Sequence, residues 1–385
     1  MSRRIVVLGG TGLFGGAVVE LLRGEGMAPL VAARGGGSGS GRGTTRPGAA
    51  APDLRVDAED PDALRSALRP GDIVVDAAGP FQGRTAALVA AAVDVGCDVI
   101  DLSDSLGHFE RIDALRAPIE AQGIRVLTSC SSVTTVLATL IRASGVHDPV
   151  RVSVYLSPAS RVTATNGTSG SLRHSLGRPI RILRGGRLVE ARGWRASRPF
   201  TMPPPIGRAR GFLLESVHAA TLPRIFPALR EADFWVDSRV PGLNRVLSLL
   251  ARAPALAARM MRAGRLPACV ARRLGSVAGG MLAEIEDASG TVTEARLFAR
   301  QRSYLAAVAP AVLAARAIAA GRFAERGLVP QDRHVDPAEL LAYLDRLGIE
   351  CAFKRRPAWP AGSVRPATSG EPQASDRRIT LPRTP

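Results

Sequence analysis

Apolar residues open the chain as an unbroken run, Ile5 to Leu8, and then change to a helical spacing. Leu13, Phe14, Ala17, Val18, Leu21 and Leu22 recur at intervals of three and four before Gly24 and Gly26. A continuous β-branched run predicts a strand buried on both faces, and the spacing after it predicts an amphipathic helix with a glycine stop. The alternation continues. Strands are predicted at APLVAAR (28–34), LRVDA (54–58), DIVVDAAG (72–79), DVIDLS (98–103) and IRVLTS (124–129). Helices are predicted over Pro61–Leu68, RTAALVAAAVDVG (84–96), Gly107–Ala121 and from Val133 onward. Strands and helices in this order describe an α/β fold with a Rossmann doubly wound parallel sheet, whose ligands sit at the carboxyl ends of the strands.

The pattern then changes. VRVSVYLS (150–157) alternates strictly, and IRILRGGRLVEA (180–191) reads as a hairpin on a Gly185-Gly186 turn. These predict a second α+β domain with an open mixed or antiparallel sheet. The expected division is residues 1–146 for the first domain, 147–353 for a substrate and dimerisation domain whose final helices pack back on the first, and 354–385 for a disordered tail rich in Pro, Ser and Arg. Residues 35–52, GGGSGSGRGTTRPGAAAP, read as a flexible low-complexity loop.

The first strand-to-helix junction contains GxGxxG, with glycines at Gly10, Gly12 and Gly15. Gly10 permits the tight turn, Gly12 lets backbone approach a pyrophosphate, and Gly15 lets the helix press on the strand. Phosphates would rest on the amides of Gly10, Thr11, Gly12, Leu13, Phe14 and Gly15, at the positive end of the helix dipole. At the end of the second strand, where an NAD site places an acid on the ribose, stands Arg34. An arginine there pairs with a 2′-phosphate, so NADP is favoured over NAD. The other reading of Arg34 is a surface arginine.

Composition removes several alternatives. The chain has 385 residues, 46% hydrophobic, enough for two cores. Its net charge is +17, yet Lys354 is its one lysine. With 4% aromatics and scattered arginines, the charge argues for steering of polyanionic ligands such as phosphorylated cofactors rather than for nucleic-acid binding. Four dispersed cysteines form no CxxC pair, which argues against a zinc site and for a reducing, cytoplasmic location without a secretory leader. The stretch 243–266 reads as a basic amphipathic helix or helix pair broken near Pro254, too charged to span a bilayer. It packs on the second domain in this reading, with peripheral contact to anionic lipid as the alternative. AAVAPAVLAARAIAA (306–320) reads as a buried helix.

The catalytic apparatus is constrained by what is missing. The tyrosines are Tyr155, Tyr304 and Tyr343, and none is followed four residues later by lysine, so the Tyr-x-x-x-Lys pair of short-chain reductases is absent. VVDAAGPFQGRTAALVAAAVDVGCDVIDLSD followed by GIRVLTSCSSVTTVLATLI resembles the NADP-binding saccharopine dehydrogenase-like family. The resemblance rests on Ala78-Gly79-Pro80-Phe81, on Asp101-Leu102-Ser103-Asp104 and on Cys130-Ser131-Ser132-Val133-Thr134, where the family often has proline in place of Thr134. It continues through SLRHSLGRPIRILRGGRLVEARGW, PPPIGRARGFLLESVHAATLPRIFPAL and LGSVAGGMLAEIEDASG, from about residue 4 to 353.

The resemblance implies hydride transfer between a nicotinamide and a carbonyl, imine or activated C=C substrate, in a homodimer. The alternatives are an NADP-binding sensor or scaffold without turnover, and a trans-acting enoyl reductase on a lipid or polyketide acyl chain. Ala78, Gly79, Pro80 and Phe81 are expected beside the nicotinamide ribose, with Phe81 as a wall. Ser131 and Ser132 are hydrogen-bond donors to carboxamide or substrate, or helix caps. Asp101 and Asp104 hold a water or an amine, Asp104 alternatively capping the next helix. In NGTSGSLRHSLGRP, His174 is the titratable proton-donor candidate. Arg208 and Arg210 are candidates for an anionic substrate group, and no metal is expected.

Overall fold

A computed structural model describes residues 3–34, 51–164, 174–253 and 266–356. The loop expected at 35–52 lies almost entirely outside them, as do Gly170, Ser171 and Arg173, the middle of the 243–266 stretch and the tail from Pro357. The chain divides into two compact units. One draws on Met1–Val136 and Leu305–Asp336, the other on Leu137–Ala164, Leu172–Tyr304 and the chain from Pro337.

In the first unit the strands are β1 (Ile5–Leu8), β2 (Leu30–Ala33), β3 (Leu54–Arg55), β4 (Ile73–Asp76), β5 (Asp98–Asp101), β6 (Arg125–Leu127) and, from the late segment, β15 (Gly327–Leu328). They form one parallel sheet in the order β15-β6-β5-β4-β1-β2-β3. The chain moves outward from β1 to β3 and then returns to the other side of β1 as β4. That reversal creates the crevice between β1 and β4 where ligands of such sheets bind.

The helices are α1 (Leu13–Gly24), α2 (Pro61–Ala67), α3 (Ala87–Val95), α4 (Leu106–Asp113), α5 (Arg116–Gln122) and, later, α11 (Ala309–Ala319). Val6, Leu8, Val74, Val99 and Val126 form one face of the sheet and pack with Leu64, Leu88, Val89, Ala92 and Ile119 of the helices. The alternate residues Ile5, Val7, Val75 and Ile100 are buried too, with α1 and α11 lying on β1, β4 and β5. Burial on both faces is what the unbroken apolar runs required. The single helix expected over Gly107–Ala121 is two, because Pro118 lacks an amide and its ring clashes with the carbonyl of Ala114, so the helix ends and restarts before it.

In the second unit, β7 (Pro149–Ser157), β8 (Pro179–Arg184), β9 (Arg187–Arg192), β10 (Ser197–Thr201), β11 (Arg208–Leu214), β12 (Glu231–Val236), β13 (Gly279–Asp287), β14 (Val292–Ala299) and β16 (Glu350–Arg356) form a nine-stranded mixed sheet. Only β7 and β12 run parallel; every other neighbour is antiparallel. Gly185 and Gly186 both take positive φ, at 58° and 79°, as a two-residue hairpin turn with the matching twist demands. Helices α6 (Leu137–Ala143), α7 (Ser160–Thr163), α8 (His218–Ile225), α9 (Leu243–Leu250), α10 (Leu266–Leu274) and α12 (Pro337–Arg346) complete this unit. No helix among the described residues is long and apolar enough to cross a membrane.

Candidate functional site

The glycine turn is shaped by close backbone approach. Gly9 takes φ 72°, and a Cβ there would stand 2.9 Å from the carbonyl of Ala77 and from Cα of Ala78. The glycine turn therefore rests directly on the exit of β4. A Cβ on Gly15 would lie 2.3 Å from the Gly9 carbonyl oxygen, so only glycine lets α1 come this close to β1. Gly12 differs: its Cβ would meet nothing but the Gly9 oxygen, at 3.2 Å, and otherwise points into open space. Gly12 is also the N-cap of α1, and no side chain caps that helix.

These features fit a dinucleotide. A diphosphate laid across Gly10–Gly15 would meet the amide end of a twelve-residue helix, with room above Gly12 for it to approach. Arg34 is exposed at the exit of β2, beside the Ala33–Arg55 register pair of β2 and β3.

Asp76 and Asp101 end β4 and β5 at the same register and therefore face the same side of the sheet. Asp76 accepts from the Ala78 amide at 2.9 Å and is paired with Arg84 at 3.1 Å. Burial works against the Arg84 charge, but Asp76 and Glu59 outweigh it and its pKa is raised. Glu59 accepts from Arg84 and, at 2.9 and 2.8 Å, from the amide and hydroxyl of Thr85. Burial alone would raise the Glu59 carboxyl; those hydrogen bonds hold it below its ordinary value.

Asp101 is 1% exposed. One carboxylate oxygen accepts from the amides of Ser103 and Ser129, each at 2.9 Å, and its carbonyl accepts from the Cys130 amide at 2.7 Å. It thus ties the exit of β5 to the exit of β6. Nδ1 of nearby His108 and the Ser129 hydroxyl have no hydrogen-bond partner among the described residues. Burial pushes the Asp101 carboxyl up, against the opposing influence of His108, the two amides and the Thr128 hydroxyl. Asp104, with Gln82 at 3.4 Å, is also raised by its enclosure. The helix cap is not Asp104 but Ser105, whose hydroxyl accepts from the His108 amide at 3.3 Å.

The loop after β6 is wound tightly. Ser129 takes φ 60°, and Ser132–Val136 forms one π-helical turn. The turn is pinned by Thr134, whose hydroxyl donates to the Ser129 carbonyl, and by Thr135, whose hydroxyl lies 2.9 Å from Nδ1 of buried His334. Ser131 is buried at its start. Wide turns of this kind concentrate at functional sites. Ala78 is half-buried, and Gly79 and Pro80, joined by a cis bond, are exposed. Phe81 is buried between His108, whose ring centre is 5.3 Å away, and the Arg84 guanidinium, 5.7 Å from the Phe81 ring.

His174 belongs to the second unit and is exposed. Arg208 and Arg210 are exposed on β11, with Arg210 donating to the Ser197 hydroxyl at 3.1 Å. No group of three or more His, Cys, Asp or Glu that could hold a metal occurs among the described residues. Sequence reasoning did not find Asp76, Arg84, Glu59, His108, Thr135 or His334. The one local trace of the first is an aspartate ending an apolar strand where an aliphatic residue is expected.

The saccharopine dehydrogenase NADP binding domain family matches residues 5–127. The matched stretch lies within the first unit. A protein of Arabidopsis thaliana named a probable mitochondrial saccharopine dehydrogenase-like oxidoreductase is 29% identical over 110 residues, 27% of this chain and 24% of that protein. The chain thus matches about a quarter of that relative's length. Among solved structures, apo saccharopine dehydrogenase (L-Glu forming) from Saccharomyces cerevisiae superposes with a TM-score of 0.59 at 13% identity, covering 92% of this chain and all of that one. The saccharopine dehydrogenase fold therefore extends over both units, beyond the matched NADP-binding domain.

Proposed function

We propose that this protein is an NADP-dependent oxidoreductase of the saccharopine dehydrogenase-like type, acting on a carbonyl, imine or activated C=C substrate. The observation that carries this reading is the Gly9–Gly15 turn at the reversal between β1 and β4, packed where Gly15 meets Gly9 and open where Gly12 would meet a phosphate. When bound, the nicotinamide supplies or accepts the hydride; everything else falls to the chain.

In this reading the amides from Gly10 to Gly15 hold the diphosphate, and the exposed Arg34 guanidinium pairs with the 2′-phosphate. Ala78, Gly79, Pro80 and Phe81 form the floor that the glycine turn touches, with Phe81 excluding water from the nicotinamide side. Ser131 lies in the strained turn beyond β6. Asp101, closed to solvent and bonded to two loop amides, acts by holding the β5 and β6 exits in place rather than by touching substrate. His174 is the candidate proton donor carried by the second unit.

The test is NADPH oxidation by purified protein against three acceptor classes: a keto acid with an amine, a simple ketone and an enoyl thioester. Turnover with one class that is abolished by Gly12→Ala supports the reading. Tight NADPH binding with no turnover on any class would favour a sensor or scaffold instead.

A further inference from the structure

The buried Arg84 cluster is not part of the glycine motif, yet it holds the same loop. Its guanidinium donates to the Ala78 carbonyl at 2.8 Å, to Asp76 at 3.1 and 3.4 Å, to the Ala58 carbonyl at 3.3 Å and, through Nε, to Glu59. All three of its nitrogens are engaged. The Arg84 amide also donates to the Phe81 carbonyl at 3.1 Å, and the guanidinium lies over the Phe81 ring. Three separate chain segments therefore close on one cation: the run after β3, the exit of β4 and the turn carrying Phe81. The same loop also limits the glycine turn, since a Cβ on Gly9 would stand 2.9 Å from the backbone of Ala77 and Ala78.

A buried guanidinium is costly to desolvate unless its hydrogen bonds are complete, and once complete it fixes geometry more strictly than an apolar contact can. Residues that need only fill this space would be aliphatic, like the Val and Leu side chains beside them. We infer that Arg84 is a positioning residue for the nicotinamide end of the cofactor, setting the height of the Ala78–Phe81 floor and the tilt of Phe81, with Glu59 as its outer anchor. The inference rests on the cofactor reading above. Lysine keeps the charge at this position but has no planar fork, and so cannot serve Asp76, Glu59 and two carbonyls together.

The experiment compares binding of NADPH with binding of adenosine 2′,5′-bisphosphate, which lacks the nicotinamide half. Both are titrated calorimetrically into the full-length wild type, Arg84→Lys and Glu59→Gln, with a thermal melt of each protein. Positioning predicts that Arg84→Lys weakens NADPH by about tenfold, and Glu59→Gln by a smaller factor, while the fragment changes by less than about twofold. Emission of the bound nicotinamide should shift in the same order. A purely structural role would weaken both ligands by one common factor, and that outcome, or no change in either, overturns the inference. Should Arg84→Lys fail to fold, Glu59→Gln decides by the same comparison. Failure of the wild type to bind NADPH would overturn the cofactor reading itself and the positioning role with it.

Discussion

Asp76 and Asp101 stand opposite one another in the parallel register of β4 and β5, yet Asp76 has Arg84 as a counter-charge while Asp101 is held by the amides of Ser103 and Ser129. Two carboxylates with the same position in the sheet therefore have different surroundings: Asp76 is ion-paired with Arg84, whereas burial pushes the Asp101 carboxyl up.

A pH-dependent difference follows for Asp101→Asn. Because burial raises this carboxyl in the folded state, the native protein binds the proton more tightly than the unfolded chain does, and stability falls as pH rises through the native value. Asparagine keeps an oxygen for the Ser103 and Ser129 amides and carries no charge. The melting temperature of Asp101→Asn relative to wild type should rise between pH 4 and pH 8, by about 2–4 °C for each kcal/mol of relief. A gap that shrinks with pH would show that the Asp101 anion is well paired.

The two glycines of the turn should separate folding from binding. Gly15→Ala places a methyl 2.3 Å from a backbone oxygen, so the turn must shift, at a cost of about 1–3 kcal/mol or more. Gly12→Ala meets one oxygen at 3.2 Å, with φ at −79°, which alanine adopts freely. It should melt close to wild type and lose most of its NADPH affinity. Equal losses of stability in both variants would contradict the packing described for Gly12.

Two buried histidines should make the protein sensitive to acid below the pH at which a free histidine takes up its proton. His218 and His334 are each lowered to about 4, chiefly by burial, while an unfolded histidine takes up its proton near pH 6.5. As pH falls from 6.5 toward 4, unfolding binds protons that the native state refuses, and stability drops. His334→Gln should remove one proton from that dependence, about 1.4 kcal/mol per pH unit in urea unfolding. An unchanged slope would mean that His334 is already protonated in the native protein.

Much of the first unit was legible because its information is local. Unbroken apolar runs can only be doubly buried strands, and the change from period two or continuous to a helical period marked α1, α2 and α3 within a few residues. The GxGxxG glycines were legible for the same reason, since the turn, the approach and the packing all lie within six residues. The Arg84 cluster was not. Glu59 and Asp76 lie 25 and 8 residues away from it, and one arginine among many carries no mark of being buried. Likewise Thr135 and His334 are separated by 199 positions, and β15, two residues long, offers no periodicity to read. Helix α4 was misjudged at its end for a local reason that the sequence did contain, the proline at position 118.

The most direct test of the account is a fluorescence titration of the wild type and Arg34→Ala with NADPH and with NADH. Saturable binding of NADPH is expected, with weaker binding of NADH and a variant whose NADPH affinity falls toward that for NADH because the 2′-phosphate has lost its cation. Absence of binding for both nucleotides in a folded wild-type protein would contradict this, leaving the glycine turn a packing device and the oxidoreductase reading without its cofactor.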